Sequence, residues 1–173
     1  MGMKASRLFI THLVMGILPS TRCFALKRWL LRWCGAQVGE NVRIVSSARF
    51  YTSGCLFIGD GTWVGHEVLV AGGDADIVIG ANVDIAPRVS LLTGSHKLFT
   101  TPNRAAGQGY SLSIRVKDGA WLGASSTILG GVTIGECAMI GAGALVNKDA
   151  PSRTVFAGIP ARAIKCAARE VGA

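Results

Sequence analysis

An aliphatic or aromatic residue recurs at every sixth position over long stretches of this 173-residue chain. The clearest run is Val116, Leu122, Ile128, Ile134, Ile140 and Val146, and a small or β-branched residue follows each of them four positions later. Three earlier runs keep the same spacing: Val38, Ile44 and Phe50; Ile58, Val64 and Val70; Ile79, Ile85 and Leu91. A period of six fits neither an α-helix nor a single alternating strand. It predicts an all-β parallel solenoid of short strands and tight corners, with three units in each turn.

The repeat starts after Gly35 and therefore divides the chain. The pattern of residues 1–35 predicts two short amphipathic helices, at roughly 5–18 and 21–34. These helices either dock on the end of the solenoid or contact a membrane surface. The apolar stretch at 8–18 is too short to span a bilayer. Residues 36–150 predict the solenoid. Residues 151–173 predict a C-terminal cap or tail, because a solenoid has open ends that must be covered.

The net charge and the cysteine content limit which partners and which cellular compartment the sequence predicts. The net charge of +8 favours an anionic partner. The basic residues form no long block and no nucleic-acid module is readable, so we expect no nucleic-acid ligand. Five cysteines without C-x-x-C spacing predict neither a disulfide framework nor a zinc site. A reducing compartment follows, and we expect the cytoplasm, with association to the inner face of the membrane left open.

The six-residue pattern stops between Leu91 and Val116, where the sequence predicts an inserted polar loop at residues 93–113. Insertions that leave a rigid scaffold are frequent carriers of function. His96 stands near the start of this one. An imidazole titrates near neutral pH, so it can accept a proton from an attacking hydroxyl and return it to a leaving group. His96 is therefore the candidate general base.

Stacking of the units suggests which carboxylates lie near this histidine. Three units per turn place Leu91 over Val70, so His96 is expected near residues 71–76. Asp74 and Asp76 are then candidates for orienting the ring or binding the acceptor, and solvated turn carboxylates are an equally open interpretation. Weaker candidates are Asp84 and Glu67.

Three segments carry a resemblance to a known family: I-G-A-N-V-D-I-A-P-R-V-S-L-L-T-G-S-H at 79–96, V-K-D-G-A-W-L-G-A at 116–124, and A-G-I-P-A-R-A-I-K at 157–165. They resemble the hexapeptide-repeat acetyltransferases, and most of all the polysaccharide O-acetyltransferases of the colanic-acid and O-antigen type. The resemblance implies a left-handed β-helix, although parallel β connections are otherwise overwhelmingly right-handed. It also implies a homotrimer with active sites between subunits, acetyl-coenzyme A as donor, and no requirement for a metal.

The resemblance further implies roles for individual residues. His96 matches the position of the family's base, and Trp121 matches an aromatic residue beside the pantetheine arm. Backbone groups implied to bind that arm are those of Gly123, Ala124, Ala142 and Gly143, and the basic residues implied to meet the phosphates are Lys148, Arg162 and Lys165. The hexad starting at Val64 lacks the asparagine with which galactoside-type enzymes contact the acceptor or the acetyl oxygen. The acceptor is therefore not implied.

The acceptor class stays open at this level. A sugar of a cell-surface polysaccharide, a lipid-linked sugar and a nucleotide-linked sugar all remain, and N-acetylation of an amino sugar is the alternative to O-acetylation. A non-catalytic β-helical scaffold is the alternative from another class, but it would need neither a polar insertion nor matched cofactor positions.

Overall fold

The computed structural model describes residues 2–166, with side chains left out at positions 100, 101, 165 and 166. Two helices come first, α1 (Ala5–Ile17) and α2 (Phe24–Cys34). The strands that follow are β1 (Gln37–Val38), β2 (Arg43–Ile44), β3 (Arg49–Tyr51), β4 (Leu56–Ile58), β5 (Trp63–Val64), β6 (Leu69–Ala71), β7 (Ile77–Ile79), β8 (Asp84–Ile85), β9 (Ser90–Leu92), β10 (Gly94–Thr101), β11 (Arg104–Ser111), β12 (Ile114–Val116), β13 (Trp121–Leu122), β14 (Thr127–Leu129), β15 (Thr133–Ile134), β16 (Met139–Ile140), β17 (Leu145–Val146), β18 (Thr154–Gly158) and β19 (Ala161–Cys166).

The short strands stack into the three parallel faces of a left-handed β-helix, which confirms the predicted fold. One face runs β1-β4-β7-β12-β15, the second β2-β5-β8-β13-β16-β18, and the third β3-β6-β9-β14-β17. Like positions lie over one another, as when Leu122 pairs with Ile85 on one side and Ile140 on the other. The aliphatic ladders of the six-residue pattern point inward and are buried, and so are the small residues at the corners, such as Ala120 and Ala138.

The corners turn through left-handed backbone, which accounts for some of the glycines and asparagines of the chain. One corner is formed in successive turns by Asn41, Gly61, Asn82, Gly119 and Cys137, all with φ between 52° and 70°. Glycine adopts this region freely, and asparagine tolerates it better than most residues. Each corner can therefore be tight without displacing the strands beside it.

The two helices dock on the first turns of the solenoid, in agreement with the first of the two interpretations above. Met15, Leu31 and Cys34 are fully buried in the same core as the strands. The helix α2 starts at Phe24 rather than near residue 21, because Cys23 has left-handed backbone with φ of 55° and cannot continue a helix. Among the described residues, neither helix has the length and hydropathy needed to cross a membrane.

A buried lysine on α2, Lys27, forms hydrogen bonds with the segment that connects the two helices. The ammonium of Lys27 donates hydrogen bonds to the carbonyl oxygens of Pro19 at 3.0 Å and Ser20 at 2.8 Å. It also lies 5.3 Å from the centre of the Phe24 ring. Burial lowers the pKa of Lys27. The two carbonyl oxygens offset part of the cost of enclosing the charge, so the lysine is tolerated inside the cap.

Candidate active site

The polar insertion is a β-hairpin, not the open loop that the sequence suggested. Strands β10 and β11 pair antiparallel, with Gly94 opposite Ser111 and His96 opposite Gly109. The register shifts beyond His96, so the tip is less regular than the part near the solenoid. The pairing with β11 therefore fixes the backbone before and after His96 in the sequence.

Two glycines in neighbouring turns let this hairpin sit close to the solenoid. Thr93 and Leu112, here called the hairpin base, precede and follow the paired strands, and the Leu112 N–H donates to the Thr93 carbonyl at 2.9 Å. A Cβ at Gly72, where φ is +152°, would collide with the Thr93 hydroxyl. A Cβ at Gly130 would lie 2.7 Å from the Thr93 carbonyl oxygen and 2.9 Å from that of Leu112. Glycine is needed at both positions because the hairpin base leaves no room for a side chain.

His96 is held by a backbone carbonyl. Its Nδ1 lies 2.8 Å from the carbonyl oxygen of Gly107. A carbonyl oxygen only accepts hydrogen bonds, so Nδ1 must carry the proton, and Nε2 of the neutral ring keeps its lone pair. Nε2 has no hydrogen-bond partner among the residues that the structure describes. This tautomer is the one a general base requires.

The exposed ring of His96 faces a groove of about 640 Å³ between the hairpin and the turn after β6, here called the His96 groove. Its walls are Ser53, Gly73, Asp74, Gly94, Ser95, His96, Gly109, Tyr110 and Ser111. The volume lies in the range of sites that hold small ligands, about 300–1,000 Å³. Hydroxyl and carboxylate groups line it, as expected for a site that binds a polar molecule.

Asp74 lies in this groove, whereas Asp76 does not line it. The pairing of Val70 with Leu91 confirms the stacking from which both carboxylates were placed near His96. The Ser111 hydroxyl donates to Oδ1 of Asp74 at 2.6 Å and lowers the pKa of that carboxyl. Asp76 instead accepts a hydrogen bond from the Cys55 N–H at 3.1 Å and secures a corner. The Gly107 carbonyl, rather than either carboxylate, holds the imidazole.

The two weaker carboxylate candidates lie elsewhere. Glu67 pairs with Arg88 at 2.8 Å, and both side chains are exposed at a corner of the solenoid. Asp84 is on the outer side of β8, where it pairs with Trp63 in one neighbouring turn and Trp121 in the other. Neither residue lines the His96 groove.

The implied cofactor residues lie on the outer side and corners of the β13 and β16 face and in the last turn. Trp121 on β13 is 51% exposed, so a broad aromatic surface is open to a ligand. The N–H groups of Gly123 and Gly143 already donate inside the solenoid, to Ile140 and Ala124, both at 2.8 Å. Those two amides are therefore not available to a pantetheine arm, and the backbone contacts there would be left to the N–H groups of Ala124 and Ala142, which donate no backbone hydrogen bond among the described residues. Of the remaining implied residues, Ala124 is partly buried, and Ala142, Lys148 and Arg162 are exposed, while the side chain of Lys165 lies outside the described residues.

Within one chain, His96 and Trp121 do not share a crevice. Trp121 belongs to the face that contains β8 and β16, whereas the hairpin leaves the solenoid after β9, on another face. Trp121 accordingly does not line the His96 groove. The donor and acceptor residues expected from the sequence are thus separated in the single chain.

Sequence reasoning missed Gly107, Tyr110 and Ser111. The contribution of Gly107 is a carbonyl, which every residue has, so its identity carries no signal. Ser111 becomes relevant only because the hairpin returns it to Asp74. These residues could have been placed near His96 only if the insertion had been predicted as an antiparallel hairpin with His96 opposite Gly109.

Comparison with known proteins gives a consistent group of relatives. A family profile described as bacterial transferase hexapeptide (six repeats) matches residues 113–148. WcaF of Escherichia coli, described as a colanic acid biosynthesis acetyltransferase, is 35% identical over 81% of this chain and 76% of its own length. The galactoside O-acetyltransferase of Escherichia coli is 35% identical over 79% of this chain and 66% of its own length.

A solved structure extends this likeness to three dimensions. A hexapeptide-repeat acetyltransferase of Vibrio cholerae, crystallised with acetyl-coenzyme A, superimposes with a TM-score of 0.79 at 26% identity, over 95% of this chain and 87% of the other. The chain spans only part of several relatives, namely 66% of the galactoside enzyme and 55 and 44% of similar proteins from Saccharomyces cerevisiae and Schizosaccharomyces pombe.

Proposed function

The chain belongs to the hexapeptide-repeat acetyltransferases, and we propose that it moves an acetyl group from acetyl-coenzyme A to a hydroxyl of a sugar, with His96 as general base. The sugar is part of a cell-surface polysaccharide or of its precursor. One observation carries the proposal: Nδ1–H of His96 donates a hydrogen bond to the Gly107 carbonyl oxygen, which leaves Nε2 free to accept a proton at the groove.

The reaction is a direct transfer. Nε2 of His96 removes the proton of the acceptor hydroxyl while its oxygen forms a bond to the thioester carbonyl carbon. The tetrahedral intermediate then collapses with cleavage of the carbon–sulfur bond, and the imidazolium returns its proton to the thiolate. The products are an acetyl ester and free coenzyme A. The Gly107 carbonyl also stabilises the imidazolium, because its partial negative charge faces the protonated ring.

Asp74 is suited to bind the acceptor rather than to take part in proton transfer. Ser111 lowers the pKa of the Asp74 carboxyl, so the group is an anion near neutral pH. A carboxylate with one oxygen bound to Ser111 keeps lone pairs for sugar hydroxyls. In this proposal Asp74 orients the sugar in the groove.

We further propose a homotrimer with each site between two subunits. The separation of His96 from Trp121 within one chain supports this arrangement, because a second copy can supply the Trp121 face that the His96 groove lacks. Lys148, Arg162 and Lys165 would then meet the coenzyme phosphates, in keeping with the net charge of +8. The cytoplasm is the proposed compartment, since the odd cysteine count fits a reducing environment.

Release of free thiol from acetyl-coenzyme A in the presence of sugars tests the proposal. His96→Ala should lower kcat by about 10²- to 10⁴-fold, the range that general bases contribute, while the dissociation constant for coenzyme A stays the same. The matched control is His66→Ala, because His66 is an exposed histidine outside the groove. Full activity of His96→Ala, or equal loss in both variants, contradicts the assignment. No thiol release with any sugar favours the scaffold alternative.

The same assay separates O- from N-acetylation. Hydroxyl sugars and amino sugars, free and nucleotide-linked, are compared, and the labelled product is treated with mild alkali. An ester loses its acetyl group under this treatment and an amide retains it. An alkali-stable product would replace O-transfer with N-transfer at the same site.

A further inference from the structure

A second cleft lies beside the His96 groove. It has a volume of about 570 Å³ and separates α1 from the outer side of the first turns; we call it the helix cleft. Its lining residues are Met3, Ala5, Leu8, Phe9, His12, Leu13, Tyr51, Thr52, Ser53 and Gly72. Met3 and Leu8 are buried, whereas the side walls are open to solvent: Phe9 is 72% exposed and Leu13 is 64% exposed. A concave apolar surface of this size is costly to leave in water, so it is expected to bind something.

The helix cleft adjoins the His96 groove. Ser53 lines both, and the neighbours Gly72 and Gly73 line one each. A ligand whose reacting group lies beside His96 can therefore extend into the helix cleft across these residues.

The lining of the helix cleft carries no formal charge at neutral pH. Among the described residues that form it, His12 is the one with a basic side chain. Its Nε2 accepts a hydrogen bond from the Phe50 N–H at 3.1 Å, so that nitrogen is unprotonated, and burial lowers the pKa of the ring further. Among the described residues, no lysine or arginine lines the cleft, and the Arg49 guanidinium, which is close enough to act on His12, donates to the Ser46 and Ala48 carbonyl oxygens. A nucleotide diphosphate would therefore be poorly accommodated.

We propose that the acceptor is a glycolipid, whose sugar lies in the His96 groove and whose hydrocarbon chain lies in the helix cleft between Leu13 and Tyr51. The inference rests on the proposed function and names the substrate class that this function left open. The hydrocarbon contributes binding in proportion to the apolar area that leaves water, and the sugar presents its hydroxyl to His96. Phe9 and Leu13 are then specificity-determining residues.

Alkyl glycosides of one sugar measure this directly. The full chain, loaded with coenzyme A, is titrated calorimetrically with methyl, butyl, hexyl and octyl β-galactoside, each below its micelle concentration. Every two added methylenes should lower the dissociation constant by up to about fifteenfold until the cleft is filled, because each buried methylene contributes roughly a fourfold gain. Methyl galactoside sets the baseline for the sugar alone.

Three variants of α1 separate binding in the cleft from binding on the rest of the helix surface. Leu13→Ser should weaken binding of octyl galactoside by at least about fivefold and leave methyl galactoside unaffected. Ile17→Ser is the control, because Ile17 is 81% exposed on α1 but does not line the helix cleft. Ala5→Trp should fill the cleft from the first turn of α1 and flatten the dependence on chain length.

Three results would overturn the proposal. If the dissociation constant does not depend on the length of the alkyl chain of the galactoside, the helix cleft is not an apolar subsite. Equal weakening by Leu13→Ser and Ile17→Ser points to adsorption on the apolar face of α1, as at a membrane surface. A lower mass of Leu13→Ser in light scattering, without chain-length dependence in the parent, shows that a second copy of the chain occupies the cleft. Thiol release is measured separately: its absence with every glycoside, despite chain-dependent binding, refutes the transfer reaction and leaves the cleft assignment standing.

Discussion

Gly130→Ala is a test of whether the solenoid sets the position of His96. The added Cβ would lie 2.7 Å from the Thr93 carbonyl oxygen and 2.9 Å from the Leu112 carbonyl oxygen, whereas ordinary contacts begin at 3.4 Å. Both atoms are backbone and belong to the hairpin base, so the base must move away by about 0.7 Å at the closer contact. His96 is three residues beyond Thr93, and the shift is carried to the imidazole. Misplacement of a reacting group by about 1 Å can lower a rate about 10²-fold, so we expect kcat to fall by roughly 10- to 100-fold.

Gly59→Ala controls for the stability cost of the same kind of change. Its Cβ would lie 2.5 Å from the Ala81 nitrogen and from the Gly80 carbonyl carbon, at a corner away from the hairpin. Overpacking of this kind costs about 1–3 kcal/mol of unfolding free energy at either site. Thermal melting should therefore show both variants destabilised, and thiol release should show the large loss of kcat in Gly130→Ala alone. Parent-like kcat in Gly130→Ala, or equal loss in the two variants, would refute the reasoning.

Three other predictions concern the cap and the donor side. Lys27→Met should lower the unfolding free energy by about 1–2 kcal/mol, because the hydrogen bonds to Pro19 and Ser20 are lost, and thermal melting would show no change if they contribute nothing. His12 has a folded-state pKa below its unfolded value near 6.5, so the unfolded chain binds more protons and stability falls as pH drops below that value. His12→Gln keeps an acceptor for the Phe50 N–H, so its melting temperature should fall less between pH 7.5 and 5.5; an equal fall would assign the pH dependence elsewhere. Trp121→Ala should raise KM for acetyl-coenzyme A by up to about tenfold with little change in kcat, because an aromatic contact to the donor is lost. An unchanged KM would remove Trp121 from the donor site.

The interior of this fold was predictable because its constraint is local and repeated. Leu122 and Ile128 had to be buried if the six-residue spacing described a ladder, and both are fully buried. The left hand followed only from the resemblance to a family, since the general preference of parallel β connections is for the right hand.

The hairpin was not predictable in the same way. Its exposed strands carry no alternation of apolar and polar residues, because neither side packs on the core. Its placement depends on the absence of a side chain at Gly72 and Gly130, which are far from it in sequence. For the same reason His96 could be nominated from its position, but its hydrogen bond to Gly107 could not.

The hairpin also separates the part of the chain that can vary from the part that cannot. Val116 pairs with Ile79, 37 positions earlier, and with Ile134, only 18 positions later, yet both pairings keep the same register. The strand register of the solenoid is thus independent of the number of residues between Gly94 and Ser111. Chains with the same scaffold can lengthen, shorten or exchange the tip of this excursion, and so present a different surface to incoming acceptors, while the buried ladder and its corners remain untouched.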